Sequence, residues 1–268
     1  MPAIDLARLK TQAAQLSDQF DHPDLFLRGL NSLLDYYTNR TIRSSQLARR
    51  LSLPTYRAPK PVLRQIEHEL QPVAQAHPAE AILLVNAMWK SGSLEGRLLA
   101  ASLLGMIPPA QAMQALTRLP DWLQASSDEV VRHALLDESL ARLRRENPDA
   151  LFLLLEEWLK SPRSTLQVWG LRALIPLLDN PDFENLPAVF RILRPAVRSA
   201  GPATQLELQA CLTALGRASQ TETLFFLREI LADRPTPMLV RTLRRMLPAL
   251  PAGLQAGLRE AMRTGEST

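Results

Sequence analysis

Cysteine occurs once in this 268-residue chain, at Cys211, so no disulfide can form within it. A chain that does without disulfides suits a reducing cytoplasm. Cys211 stands in an apolar helical run, Ala210-Cys-Leu-Thr-Ala-Leu215, which predicts a buried core thiol in place of a nucleophile. Glycine is scarce at 10 residues and aromatics make up 5%, whereas strand-rich folds want aromatic and β-branched runs divided by Gly and Asn turns. Lysine is found only at positions 10, 60, 90 and 160, so nearly all the positive charge is arginine. Also missing are a Gly-rich phosphate loop, a Cys/His cluster at zinc spacing, His-Glu-x-x-His and Gly-x-Ser-x-Gly. Nucleotide-, metal- and triad-dependent chemistry therefore has no support, and no cofactor or metal is expected. Apolar runs such as Ala150–Leu155 are cut by charges well short of the roughly 18 residues a membrane span needs. The opening Met1-Pro-Ala-Ile-Asp lacks the order of a signal peptide. The expectation is a soluble, cytoplasmic protein with no membrane contact.

What the chain has in quantity is Leu, Ala, Arg, Gln and Glu, all helix formers, and 21 prolines to punctuate them. Hydrophobic residues at 46% are enough for a sizeable core. The net charge of +4 and a pI near 9.6, carried by arginine, suit phosphate or carboxylate partners. Helices are predicted over 2–19, 24–38, 44–51, from Pro61 to Ala76, 79–90, 94–107 and from Pro109 to Leu119. Further helices are predicted over 128–146, 149–160, 164–178, 184–199, 203–216, 221–232, 236–249 and 252–263, with a frayed tail from Thr264. Ser93 is placed to cap one helix and Pro61 to open another. The fold class is all-α.

Residues 157–178 laid over 229–250 match at Glu157/Glu229, Leu159/Leu231, Val168/Val240, Leu171/Leu243, Arg172/Arg244, Pro176/Pro248 and Leu178/Leu250. Met88-Trp-Lys-Ser91 echoes Trp158-Leu-Lys-Ser161. Degenerate helix pairs of about 35–40 residues mark a HEAT-like α-solenoid, in which each pair buries its apolar face on its neighbours. A single repeat domain over 1–268 is expected, its prolines late in helices (Pro176, Pro195, Pro248) fitting the kinks such repeats tolerate.

Several stretches, in order, resemble the DNA alkylation repair family of HEAT-like DNA glycosylases. They are Tyr56-Arg-Ala-Pro-Lys-Pro-Val-Leu-Arg64-Gln-Ile, then Met88-Trp89-Lys-Ser91-Gly-Ser-Leu-Glu95-Gly-Arg97, then Pro120-Asp-Trp122, and Trp169-Gly-Leu-Arg172-Ala. The resemblance spans residues 50 to 250 and implies a concave basic surface that holds duplex DNA and cradles an alkylated, cationic base. It implies that Trp122 and Trp169 are aromatic walls and that Arg172 contacts phosphate. The family's carboxylate lies four residues after the Trp, and that position is Ser126 here, which cannot act as an anion towards developing positive charge.

Asp121 and Asp128 are the nearest acids, out of that register, and Asp128 is placed to satisfy a helix N-terminus. Arg97, Arg132, Arg142 and Arg145 either line a phosphate-binding face or form a solvated face with acid partners. Trp89 and Trp158 are expected in the core, and His22, His68 and His133 at the surface. Two functions stay open at this point. One is a protein binding duplex, alkylated DNA, with or without base excision. The other is a non-catalytic repeat scaffold with a protein partner on its concave face.

Overall fold

The computed structural model describes residues 5–38 and 53–265. The helix expected over 44–51 lies outside the described residues, as do the ends of the chain, 1–4 and 266–268. Among the described residues the regular structure is helical throughout, with no strand. Contacts gather into two compact units, Met1–Asn147 and Pro148–Thr268.

The first unit holds α1 (Leu6–Ser17), α2 (Pro23–Tyr36), α3 (Lys60–Ala76), α4 (Pro78–Ser91), α5 (Leu94–Met106), α6 (Pro109–Leu116), α7 (Leu119–Ala125), α8 (Glu129–Asp137) and α9 (Ala141–Glu146). The second holds α10 (Pro148–Lys160), α11 (Ser164–Leu178), α12 (Leu186–Arg198), α13 (Gln205–Ala218), α14 (Gln220–Ala232), α15 (Pro237–Met246), a 3-10 turn (Leu247–Ala249) and α16 (Ala252–Gly265).

Starts are set by side-chain oxygens and prolines. Asp5, Ser93, Asp128, Asn185, Ser219 and Thr236 each accept a backbone N–H from the first turn that follows. Pro23, Pro61, Pro78, Pro109, Pro120, Pro187 and Pro237 occupy first-turn positions, where no N–H is needed.

Most packing within each unit joins helices one or two steps apart in the chain, and α5 also reaches α8 and α9. In the first unit α1, α3, α5 and α8 contact in succession, and α2, α4 and α6 do likewise. In the second, α10, α12, α14 and α16 form one row and α11, α13 and α15 the other. Apolar faces meet between the rows. Leu9, Phe26, Leu34, Ile66, Leu70, Leu84, Met88 and Leu99 are buried in the first unit, and Phe152, Leu171, Leu174, Leu193, Cys211 and Leu227 in the second. Burial pushes the Cys211 thiol up to about 12, so it is a core residue in its neutral form.

Polar contacts between helices fall at similar sequence separations. Ser102 bonds Glu67 and Arg172 bonds Glu207, each 35 residues apart, Arg142 bonds the Met106 carbonyl 36 apart, and Ser139 bonds the Ala101 carbonyl 38 apart.

Three helix predictions are corrected. The helix expected from Pro109 to Leu119 stops at Leu116. Pro120 has no N–H to give the Leu116 carbonyl, so the chain turns at Thr117-Arg118 and restarts as α7, which carries Trp122. The helix expected over 128–146 divides into α8 and α9 at Glu138-Ser139-Leu140. There α5 docks: Ser139 Oγ donates to the Ala101 carbonyl at 3.1 Å, and Gly105 lets the Glu138 carbonyl approach so closely that a Cβ would lie 1.9 Å from it. Pro248 does not sit late in a helix. It lies in the 3-10 turn after α15, whereas Pro176 and Pro195 are inside α11 and α12.

Gly105→Ala is expected to destabilise the protein by on the order of 1–3 kcal/mol or more, because the obstacle is backbone and cannot rotate away. Urea denaturation measures this. A second prediction concerns Glu67. Burial raises its carboxyl pKa; the Ser102 hydroxyl works the other way, Glu138 adds to the rise and Arg64 opposes it. The neutral form is the one the fold prefers, so its contribution is complete below the ordinary carboxyl range and lost as pH rises through the raised value. Glu67→Gln keeps an acceptor for Ser102. Its melting temperature should exceed that of the wild type at neutral pH, and the gap should close below about pH 4.

Candidate nucleic-acid interface

The residues picked from sequence separate into a cluster in the first unit and a pair in the second. The cluster is built on α4. Asn86 and Trp89 stand three residues apart on that helix, so they share a face. Asn86 Oδ1 accepts from Arg118 Nη1 at 2.8 Å, which fixes the start of α7. Trp89 stacks on Trp122 of α7, with ring centroids 4.5 Å apart and planes 12° from parallel. The Arg97 guanidinium, on α5, lies 4.7 Å from the centre of the same Trp89 ring. Both indoles are largely covered, Trp89 at 9% exposure and Trp122 at 8%.

Past Trp122 the chain folds back through a polar turn. Ser126 is buried, and its Oγ donates to the Trp122 carbonyl at 2.8 Å. The hydroxyl therefore satisfies the last turn of α7. Asp128 caps α8, its Oδ1 accepting from the Val130 N–H at 2.9 Å. The expectation that Asp128 satisfies a helix N-terminus is met in that form. Arg132, one turn into α8, donates through Nη2 to the Ser127 carbonyl at 3.0 Å and pairs with Glu129 at 3.4 Å. Arg97 Nε, Asp128 Oδ2 and Arg132 Nε are all buried without a hydrogen-bond partner. Among the described residues only Arg144 Nε is in the same condition. An unmatched buried polar atom costs about 1–3 kcal/mol, so each of these is polar capacity that the fold leaves unused.

Other sequence candidates are not in this cluster. Asp121 is exposed in the first turn of α7. Arg142 is a structural tie: Nε meets Glu146 at 2.7 Å and Nη1 donates to the Met106 carbonyl at 2.6 Å, closing the end of α5. Arg145 is exposed and pairs with Glu146 at 3.2 Å. In the second unit Trp169 is buried on α11, and Arg172 on the same helix reaches Glu207 of α13, with Nε at 3.1 Å and Nη2 at 2.8 Å from one carboxylate oxygen. His22, His68 and His133 are exposed, and Trp158 is in the core, as expected.

Trp89 is in the core as expected. Sequence reasoning missed two contacts here, the first being the stack of Trp89 on Trp122. Glu95 is also buried, and it holds the Pro-rich segment ahead of α3: its carboxylate accepts from Thr55 Oγ1 at 2.8 Å, the Tyr56 N–H at 3.1 Å and the Ala58 N–H at 3.3 Å. Burial, with Glu95 next in effect, raises the Tyr56 phenol above its ordinary value. The signal was the Trp89…Glu95-x-Arg97 spacing, which alone does not say which helix faces which.

The family model described as DNA alkylation repair enzyme matches residues 50–245. The chain belongs to that family. The match takes in α3 through most of α15, and so includes Trp89, Arg97, Trp122, Ser126, Asp128, Arg132, Trp169 and Arg172. No curated protein and no solved structure matches the chain. Among the described residues no helix is long and apolar enough to cross a membrane, and no His, Cys, Asp or Glu group could hold a metal ion.

The two roles of Asp128 separate in stability. Asp128→Ala should lose about 0.5–2 kcal/mol with the cap, while Asp128→Asn, which can cap equally well, should keep that stability. Equal losses in urea titrations of the two variants would show that the cap is not what Asp128 supplies to the fold.

Proposed function

We propose that this family member is a HEAT-like repeat protein that binds duplex DNA and recognises alkylated bases through the Trp89–Trp122–Arg97 cluster. The observation that carries the reading is the Trp89–Trp122 stack with the Arg97 guanidinium over the Trp89 ring, inside the region matched by the family. A flat aromatic surface with negative π-faces suits a cationic alkylated base, and base–aromatic stacking is worth about 1–3 kcal/mol per base. Arginines around it suit phosphate. The repeat reading is supported by the two rows of successively contacting helices in each unit, and by polar contacts 35 residues apart.

Recognition without excision is the form of this function that the residues favour. Base release needs a carboxylate to offset developing positive charge on the sugar. Ser126 stands where the resemblance calls for one, and its hydroxyl is spent on the Trp122 carbonyl. Asp128 is the one acid of the cluster with an unused oxygen, but its other oxygen is committed to the α8 cap. Arg172 would have to exchange Glu207 for phosphate to serve as a backbone contact.

A second reading, a scaffold for a protein partner, is favoured by one feature of the second unit. A hollow of about 640 Å³ lies between α12 and α14, bordered by the Phe190–Phe226 ring pair, by Phe225, which is 70% exposed, and by arginines already paired with acids.

Duplexes with and without N-methylated purine distinguish the readings, titrated at rising salt and assayed for free base. Binding that weakens steeply with salt is expected, with no base released. Trp122→Ala should lower the preference for the methylated duplex by about 5- to 150-fold, the factor equivalent to 1–3 kcal/mol. Lack of duplex binding at low salt would overturn the DNA reading in favour of the scaffold. Base release abolished by Asp128→Asn would move the reading to excision.

A further inference from the structure

On α14 the residues that face the core are Thr223, Phe226, Leu227, Ile230 and Leu231, the spacing of one helical stripe. Glu222, Phe225 and Glu229 recur at three and four residues outside that stripe and are exposed. They form a second face, a phenyl ring with an acid one turn to either side. Helix α12 is built the same way with the opposite charge. Val189, Ile192, Leu193 and Ala196 are buried, while Phe190, Arg191 and Arg194 lie outside that stripe, and the helix contains no acid.

The two faces border the hollow of about 640 Å³. Phe190 stacks on Phe226 with centroids 4.8 Å apart, Arg194 pairs with Glu229 at 2.6 Å, and Arg198 pairs with Asp233. The two members of these pairs advance together along the chain, so α12 and α14 run parallel. A basic wall thus lies beside an acidic wall, with phenyl rings between them. Leu153 of α10 is exposed one turn before Glu156, the acid that meets Arg191, and so extends the apolar surface on the basic side.

Phe225 is 70% exposed, and aromatic side chains dominate interface energetics once they are covered. Whatever covers it must match the charges on either side. A foreign helix would have to bring an acidic edge to α12 and a basic edge to α14. A second copy of this chain already has both. Turned by a two-fold axis that runs along the groove, it lays its α14 on α12 and its α12 on α14, a self-complementary contact. Arg194 of each copy then lies opposite Glu229 of the other, and Phe190 opposite Phe225. A two-fold axis across the groove would instead set arginine on arginine.

We propose that the α12–α14 groove is a self-association surface, on which two copies pair about a two-fold axis along the groove. Each Phe225 seats beside the Phe190 of the other copy, and each basic wall covers the other's acidic wall. The pairing rests on this groove alone and not on the DNA reading. It gives to a second copy the hollow that the scaffold reading gives to a different protein.

Sedimentation of the full chain over a range of concentrations tests it, and a monomer–dimer equilibrium is expected. Phe225→Asp puts a charge at an exposed position and so spares the fold. It should weaken association by about tenfold or more, with the melting temperature unchanged in dilute solution. Arg194→Glu sets acid opposite acid across the contact, and Glu229→Arg sets arginine opposite arginine, so neither variant should pair with itself. Their equimolar mixture should form dimers, because every mixed contact is again of opposite sign. Each of the two loses an intrachain ion pair at a partly exposed site, a small cost to the fold. Self-association of Phe225→Asp equal to that of the wild type would overturn the groove as the interface. A mixture that stays monomeric would overturn the pairing of α12 with α14. A wild type that is monomeric up to about 1 mM would overturn the second copy as occupant and return the hollow to the scaffold reading.

Discussion

An amphipathic helix has one apolar stripe, and water leaves it no choice but to cover that stripe with another helix. In each unit of this protein most of the cover comes from helices one or two steps along the chain, and in the first unit α5 is also covered by α8. Burial of leucine, alanine and phenylalanine across those contacts is the dominant favourable term. Everything else depends on it. The caps and first-turn prolines decide where each helix begins, but they matter only because a packed neighbour is waiting. Arginine–acid pairs and hydroxyl–carboxylate bonds then fall at nearly the same separation.

That packing creates the candidate site by placing three helices that are not adjacent in function until they are folded. Helix α4 offers Asn86 and Trp89 on one face, α7 is pinned to it by Arg118 and Trp122, and α5 brings Arg97 over the same ring. The short polar turn after Trp122 is held by its own hydrogen bonds, from Ser126 back to Trp122 and from Arg132 to Ser127. Among the described residues Arg97 Nε, Asp128 Oδ2 and Arg132 Nε, with Arg144 Nε, are the buried side-chain atoms left unmatched. Membership of the DNA alkylation repair enzyme family gives the indole stack a meaning, although fold and family by themselves do not establish activity.

Arginine has more than one job in this chain. Arg142 closes the end of α5 and Arg172 bridges two helices through Glu207, so these two are spent on structure as the protein stands. Arg97 lies on an aromatic ring. The same residue type thus serves as cross-brace and aromatic partner, according to what lies opposite.

The helical class and most helix starts were legible in the residues alone. Helix propensity, apolar spacing, capping side chains and proline act over a few residues, and such local rules can be read along a chain. Cys211 and Trp158 as core residues and Asp128 at a helix start followed from the same rules. Long-range approach was not legible. Nothing local to residues 128–146 announces a break; the division into α8 and α9 comes from Ser139 and Glu138 docking at Ala101 and Gly105 on α5. Trp89 read as a core residue because its own helix is apolar, and only the docking of α7 made it the partner of Trp122. Arginines at 97, 132, 142, 145 and 172 are indistinguishable in sequence, since each could face an acid, a carbonyl or a ring. Which one it meets depends on side chains some 35 residues away, and that choice belongs to the tertiary structure.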